Sequence, residues 1–104
     1  MSDSLLPLTE PMFYVLMALY NQPSFGKEIV EFISDITEGA VNLGPGTLYT
    51  ILGRFEENSL IQEIAVEGRK RTYRITGVGI KTFEAELERL QRVLDNANTV
   101  KGGL

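Results

Sequence analysis

Six apolar residues near the carboxyl end of this 104-residue chain recur with the spacing of a coiled-coil seam. The stripe consists of Ile80, Phe83, Leu87, Leu90, Leu94 and Ala97. Its intervals alternate between three and four residues, which places all six on one face of a helix. Such a helix is a rod of about 30 Å and is marginal in water by itself. The stripe must therefore pack either back on its own domain or against a second copy of the chain.

We favour pairing with a second copy, because an earlier helix already fills the one small core that a chain of this length can form. Thr9 can cap that helix, Pro11 lies in its first turn, and residues 12–20 are apolar nearly all round. A chain this small also buries only about 60–65% of the surface that it exposes when unfolded. We predict a homodimer with the six stripe residues at its interface.

Two further helices are predicted before the middle of the chain. Ser24 can cap the first of them, which carries an apolar residue at every third or fourth position and ends near Gly39. The other begins at Gly44 and Pro45, and its inner stripe is Leu48, Ile51, Leu52 and Phe55.

A β-hairpin is predicted after these helices, because residues 60–66 and 71–76 alternate apolar with polar around a short loop that contains Gly68. Its tip holds three consecutive cations, Arg69, Lys70 and Arg71. Three helices followed by a two-stranded hairpin describe a winged helix-turn-helix, in which the third helix offers its outer face to the DNA major groove and the hairpin is the wing.

The predicted fold class is therefore mostly α with a small β-hairpin: a winged helix-turn-helix plus a C-terminal dimerisation helix. We assign residues 9–76 to the DNA-binding part and residues 77–98, capped by Thr76, to the dimerisation helix of the same domain. Residues 1–8 and 99–104 are expected to be flexible ends.

Composition narrows the possible functions. The chain has no histidine and no cysteine, so it lacks the usual general base, thiol nucleophile and metal ligands, and we expect neither an enzyme nor a cofactor. No apolar run is long enough to span a membrane and no secretory signal is evident, which favours a cytoplasmic protein. The net charge of −4 is concentrated in residues 1–43, whereas residues 44–75 carry five bases against four acids. Local fields matter more than the total charge at physiological salt.

Two segments resemble the PadR-type transcriptional regulators, in their short form with a single C-terminal helix. The first is Gly46-Thr47-Leu48-Tyr49, followed by a leucine and by Arg54-Phe55-Glu56; the second runs from Gly68-Arg69 through Tyr73-Arg74-Ile75-Thr76 to Gly79. The chain departs from that family at two places. Phe25-Gly26-Lys27 replaces a His-Gly-Tyr-like triplet, and Gly53 replaces a basic residue. It also lacks the tryptophan with which some drug-sensing members stack on flat ligands, and Leu90 stands at about that position.

The candidate DNA contacts are Lys27, Thr47, Tyr49, Thr50, Arg54, Arg69, Lys70 and Arg71. The resemblance implies a phosphate contact for Tyr49, whose alternative is packing against the wing. The wing cations suit backbone or minor-groove contact, and their alternative is a solvated loop. Lys27 near the start of the second helix is a further phosphate contact.

The remaining three candidates lie on the third helix. Thr47 either contacts phosphate with the helix amino end or only caps the helix, and Thr50 either touches a base edge or has no role. Arg54 either reaches a phosphate or pairs with Glu57 or Glu28.

The function that these predictions favour is a homodimeric, sequence-specific repressor that binds double-stranded DNA. A small apolar or aromatic effector, bound between the first and last helices, would release it. The residues predicted to line that pocket are Met12, Val15, Leu87, Leu90 and Val93. The alternative is a winged-helix protein-interaction module with little DNA binding, which the acidic first half of the chain supports.

Overall fold

A computed structural model describes residues 5–104, which form four helices and a three-stranded antiparallel sheet. In chain order the elements are α1 (Glu10–Asn21), β1 (Ser24–Phe25), α2 (Gly26–Ile36), α3 (Pro45–Glu57), β2 (Ile61–Glu67), β3 (Lys70–Ile75) and α4 (Gly77–Lys101). The strand order is β1-β3-β2. The predicted fold class, mostly helical with a winged helix-turn-helix, is confirmed.

Local signals in the sequence set the starts of three helices. The hydroxyl of Thr9 accepts a hydrogen bond from the Met12 amide at 3.3 Å, and that of Thr76 accepts one from the Gly79 amide at 3.1 Å. Pro45 occupies the first turn of α3, where its missing N–H costs nothing. These three starts agree with the predictions.

The predicted cap of α2 is wrong. Ser24 does not cap the helix but lies in β1, opposite Tyr73 of β3, and its hydroxyl donates to the Gln22 carbonyl at 3.0 Å. The residue that precedes α2 is Phe25, whose amide donates to the Glu28 carboxylate at 3.1 Å. Ser24 is a favoured capping residue, but its pairing with β3 places it in the sheet instead of at the start of the helix.

The hairpin has a two-residue loop, because Glu67 and Lys70 are the last paired residues. Gly68 is the first loop residue and has φ +63°, as a glycine commonly has at that position of a tight hairpin turn. The register shifts between Glu63 and Ala65, so that β2 carries one residue more than β3 along this stretch. Such a bulge bends the strand and re-aims its side chains.

One hydrophobic core joins all the helices to the sheet. Its most deeply buried large side chains come from α1, α2 and α3: Val15, Leu16, Leu19, Ile29, Ile33, Leu52 and Phe55. The predicted inner stripe of α3 is buried throughout. Within residues 5–104, no helix combines the length and the apolar character that crossing a lipid bilayer would require.

The segment before α1 differs from the flexible end predicted for residues 1–8. Leu5 and Leu8 are buried in the core, and the Leu8 amide donates to the Glu86 carboxylate of α4 at 2.8 Å. The two leucines thus anchor this segment across the fold. Residues 1–4, which belong to the same prediction, lie outside the described residues.

The helix α4 extends to Lys101, three residues beyond its predicted end, and Gly102 follows it as the C-cap. Near its start, α4 passes close to the backbone at Leu60, and a Cβ on Gly79 would collide with the Leu60 carbonyl oxygen. A glycine is therefore required where α4 leaves the sheet.

Phe83, which was predicted to lie at a dimer interface, is buried within its own chain. Only 7% of this residue is exposed, and its ring stacks against Phe13 and Tyr20 of α1 with centroid distances of 5.0 and 4.4 Å. The aromatic side chains of α1 reach α4 at this point, so Phe83 belongs to the core of its own chain. The other five residues of the stripe are exposed or half-exposed.

Candidate nucleic-acid interface

A concave surface lies where the start of α2, the outer face of α3 and the tip of the hairpin meet. It encloses about 270 Å³. The side chains that line it include five of the eight predicted DNA contacts, namely Lys27, Tyr49, Arg69, Lys70 and Arg71, together with Phe25 and Gly26. We call these seven residues the α3–wing surface. The fold therefore brings together cations that are 42 residues or more apart in the sequence, Lys27 and Arg69 to Arg71.

Tyr49 occupies the middle of the α3–wing surface. Its ring is half-exposed, and its hydroxyl lies beside Gly26, where a Cβ would come within 2.7 Å of that oxygen. Glycine at position 26 therefore lets the phenol reach the amino end of α2. Lys27, the next residue, is exposed there as well. A hydroxyl, a cation and a helix amino end at one place are groups that bind phosphate.

Two of the three wing cations have partners within the chain. The Lys70 ammonium lies 4.2 Å from the centroid of the Phe25 ring, and the Arg71 guanidinium pairs with Glu63 at 3.2 Å. Arg69 lies in the turn and is exposed. The wing is thus an ordered cationic tip, in which aromatic and acidic neighbours hold two of the charges.

The three candidates of α3 other than Tyr49 do not line the α3–wing surface. Thr47 and Thr50 are exposed on α3, and the cap of that helix is Gly44, which has no side-chain hydrogen bond to offer. Arg54 is half-buried near the end of the helix.

Tyr73 of β3 is buried near acidic side chains of α3 and β2. Burial raises the pKa of this phenol, and the nearby carboxylates Glu56 and Glu63 raise it further, while Arg71 opposes them. Of these two carboxylates, Glu63 also lies beside a cation of the α3–wing surface, Arg71.

Sequence reasoning missed Phe25 and Glu63 as neighbours of the wing cations. Phe25 lies opposite Thr72 in the sheet. It does so as part of a two-residue strand, which is too short to be predicted from the sequence pattern. Glu63 reaches Arg71 across a bulge that shifts the register. A carboxylate and an arginine on the two strands of one predicted hairpin were the available signal, but only the register shows that they meet.

The sequence match decides the family. Residues 15–85 match the profile of the transcriptional regulator PadR-like family, which is more than half of the chain. This protein belongs to the PadR-like family. Members of the family are DNA-binding transcriptional regulators rather than enzymes, and they are typically dimeric. The resemblance inferred from the motifs of α3 and the wing is confirmed.

Individual relatives agree with the family assignment. The transcriptional regulator YqjI of Escherichia coli K12 is 29% identical over 79 residues, which are 76% of this PadR-like chain and 38% of YqjI. An uncharacterised 37.1 kDa protein in transposon TN4556 of Streptomyces fradiae is 33% identical over 79 residues, again 76% of this chain but 22% of that protein. The PadR-like chain thus spans well under half the length of these two relatives.

Solved structures match along more of their length. A transcriptional regulator from Clostridium thermocellum superposes with a TM-score of 0.76 at 30% identity, covering 85% of this chain and 86% of that one. A PadR-like transcriptional regulator from Bacillus cereus covers 100% of this chain and 98% of its own, with a TM-score of 0.74 at 18% identity, and supports the fold alone.

The pocket predicted between α1 and α4 of the PadR-like chain has different walls. Met12 and Val15 point into the core, because they lie on the inner face of α1. A cavity of about 360 Å³ does lie between α1 and α4, but on the side of α1 that carries Phe13 and Met17. Its lining is Leu8, Thr9, Glu10, Phe13, Tyr14, Met17 and Leu90, so only Leu90 of the five predicted residues takes part. Within residues 5–104, no cluster of three or more acidic side chains is arranged to hold a metal ion.

Proposed function

We propose that this PadR-like chain acts as a homodimeric repressor that recognises a palindromic duplex and is released by a small apolar or aromatic effector. The observation that carries the proposal is the α3–wing surface, which gathers four cations and a tyrosine from three elements. DNA offers phosphates at regular intervals along both strands, so a cationic concavity beside an exposed helix suits it.

The proposed contacts follow from the position of each side chain. Tyr49 and Lys27 bind the same stretch of phosphate backbone, since both lie at the amino end of α2. The exposed Thr50 faces the major groove from α3 and supplies a base contact, while Thr47 binds phosphate at the amino end of that helix. Arg69, Lys70 and Arg71 bind the backbone or the minor groove beside it. Arg54 is the remaining phosphate contact.

A homodimer is supported by the exposed part of α4. The side chains of Leu87, Leu90, Leu94 and Ala97 form an apolar ridge with coiled-coil spacing, and all four are classed as exposed. A single chain would leave this ridge in water, whereas two-fold pairing buries it. The same pairing would set two α3 helices about 34 Å apart, one turn of DNA, on a palindromic site. Repression then requires only that the dimer occupy its site.

The effector part of the proposal rests on the cavity between α1 and α4. It reaches the apolar ridge through Leu90, and Phe13 in its wall stacks on Phe83 of α4. A ligand there would bear on the orientation of α4 and hence on the spacing of the two α3 helices. A panel of phenolic and planar compounds tests it: we expect at least one to raise the melting temperature and weaken DNA binding, and no shift across a broad panel would contradict the effector.

The DNA-binding part is tested by selecting fragments from the source genome and measuring their affinity as a function of salt. The native protein should retain a few fragments at physiological salt and lose them steeply as salt rises. Reversing two wing charges, Arg69→Glu with Lys70→Glu, should lower the affinity for the retained fragments by roughly tenfold or more. Arg71 is left unchanged, because a carboxylate there would face Glu63.

The matched control reverses two exposed cations of α4, Lys81→Glu with Arg92→Glu, which changes the net charge equally away from the wing. It should bind nearly as the native protein does. Equal losses in both double variants would show that only the total charge matters. Weak binding by the native protein that hardly varies with salt would favour the protein-interaction module instead.

A further inference from the structure

A carboxylate outside the α3–wing surface contacts one of its cations. The guanidinium of Arg71 contacts the carboxylate of Glu63 at 3.2 Å, with 58% of the Arg71 side chain and 26% of the Glu63 side chain exposed. The contact involves one nitrogen of the guanidinium, which has five N–H donors in all. Arg71 can thus hold Glu63 and still offer donors to a second anion.

The register of the hairpin brings this pair together. Arg71 lies directly opposite Val66, and Tyr73, two residues further along the same face of β3, lies opposite Glu63. The extra residue of β2 falls between these two positions, and a bulge bends its strand. Diagonal neighbours on one face of a hairpin are within reach of each other when their side chains are long. The pair is therefore built by the hairpin rather than by an accident of two mobile side chains.

A carboxylate at this position acts on DNA in two opposite ways. Its charge repels every duplex, whatever the sequence, since all duplexes present phosphates. Its contact with Arg71 holds that guanidinium in one direction, which favours only a duplex whose backbone or groove meets it there. The first effect lowers all affinities, and the second restores affinity for a matching site alone.

We propose that Glu63 is a specificity-determining residue of this regulator, which restrains Arg71 and so lowers the affinity for random DNA more than the affinity for the operator. This inference deepens the proposed DNA-binding function and rests on it. Glu63 is a positioning residue: it acts through Arg71 and makes no contact with DNA itself.

The experiment compares two duplexes of equal length, a fragment retained in the genomic selection and the same bases in scrambled order. Affinities are measured for the native protein, Glu63→Gln, Arg71→Gln and the double variant, over a range of salt concentrations. Glu67→Gln is the matched control, because it removes the same charge from the same strand at the position opposite Lys70. Circular dichroism confirms that each variant is folded.

We expect Glu63→Gln to tighten binding of the scrambled duplex by roughly fivefold per protomer, the upper range for an exposed ion pair. The selected fragment should gain distinctly less, so that the ratio of the two affinities falls. In the Arg71→Gln background, Glu63→Gln should give both duplexes the same small gain, from the lost repulsion alone, so that the ratio of the two affinities no longer falls.

Three results would overturn the inference while leaving the DNA-binding function intact. These are equal gains for both duplexes, a fall in the affinity ratio from Glu67→Gln as large as that from Glu63→Gln, and a fall in the ratio that persists without Arg71. Failure of the native protein to bind either duplex would instead contradict the proposed function, and this inference with it.

Discussion

The two halves of α4 share one apolar period but differ in what covers them. In the first half, up to Leu90, Phe83 is stacked between two aromatic rings of α1, and Glu86 is 6% exposed. In the second half every side chain from Gln91 onward is exposed, including 53% of Leu94. A heptad pattern therefore identifies the helix and its apolar face, but it does not tell whether the same chain or another one packs against that face.

The two halves of α4 are stabilised by different contacts. The first half is stabilised by its own domain, through a ring stack and through the Glu86 contact with Leu8. Among residues 5–104, the second half makes no such contact with the rest of its chain, and a free helical end of about three turns is marginal in water. If two copies pair, substitutions of ridge residues in the second half should change association, whereas substitutions of the buried Phe83 and Glu86 in the first half should change folding.

The largest effect is expected from a charge on the exposed ridge. Leu94→Asp should weaken the dimer by roughly a thousandfold, since each copy loses an apolar contact and buries a charge at about 2 kcal/mol or more. Sedimentation should therefore show a monomer at micromolar concentration. Asn96→Asp adds the same charge two residues along, off the ridge, and should remain dimeric.

A native protein that sediments as a monomer would remove the distinction between the two halves. A dimer that survives Leu94→Asp would place the interface elsewhere on the molecule.

Removing a buried side chain from the first half of α4 should reduce the stability of the fold itself. Phe83→Ala is expected to lower the free energy of unfolding by about 3 kcal/mol, because it removes a buried ring and leaves its space unfilled. Urea unfolding at several protein concentrations measures the loss, which should not depend on concentration. Leu94→Ala is the comparison: its loss should shrink as dilution separates the copies. A concentration-dependent loss for Phe83→Ala would assign that ring to the dimer after all.

Features of the fold that depend on neighbouring residues were predictable from the sequence, and those that depend on distant residues were not. Thr9, Pro45 and Thr76 start their helices because capping acts over three or four residues. Ser24 and Leu8 find their partners 49 and 78 residues away, in β3 and α4. Local preference carries no information about such contacts. The sequence therefore did not reveal that Ser24 pairs in the sheet or that the segment before α1 is anchored to α4.

The same division holds at the candidate interface. The cations of the wing and Tyr49 were recognisable from their motifs, and the fold does bring them to one surface. The partners that restrain two of those cations were not recognisable, because the Phe25 contact requires the short strand β1 and the Glu63 contact requires the register of the hairpin. The residues of a binding surface are thus easier to predict than the contacts that tune them.

The smallest effect concerns the carboxylate that ties the segment before α1 to the first half of α4. Glu86 accepts hydrogen bonds from the Leu8 amide and from two nitrogens of Arg89, and the Arg89 contact in particular lowers the pKa of its carboxyl although burial opposes this. At neutral pH, Glu86→Gln should lower the free energy of unfolding by about 1 kcal/mol, because the amide keeps an acceptor for Leu8 but loses the charge that binds Arg89.

The pH dependence of that loss identifies its source. Since the carboxyl has a lower pKa in the folded chain than the roughly 4.3 of an unfolded glutamate, its contribution is complete above that value and disappears as the pH falls through the folded pKa. The stability difference between native protein and Glu86→Gln, followed by urea unfolding from pH 7 to pH 3, should therefore close at the acid end. Glu88→Gln, at an exposed position of the same helix, should give no such convergence. A difference that stayed constant to pH 3 would mean that Glu86 acts by its shape and not by its charge, and the segment before α1 would then be held by Leu5 and Leu8 alone.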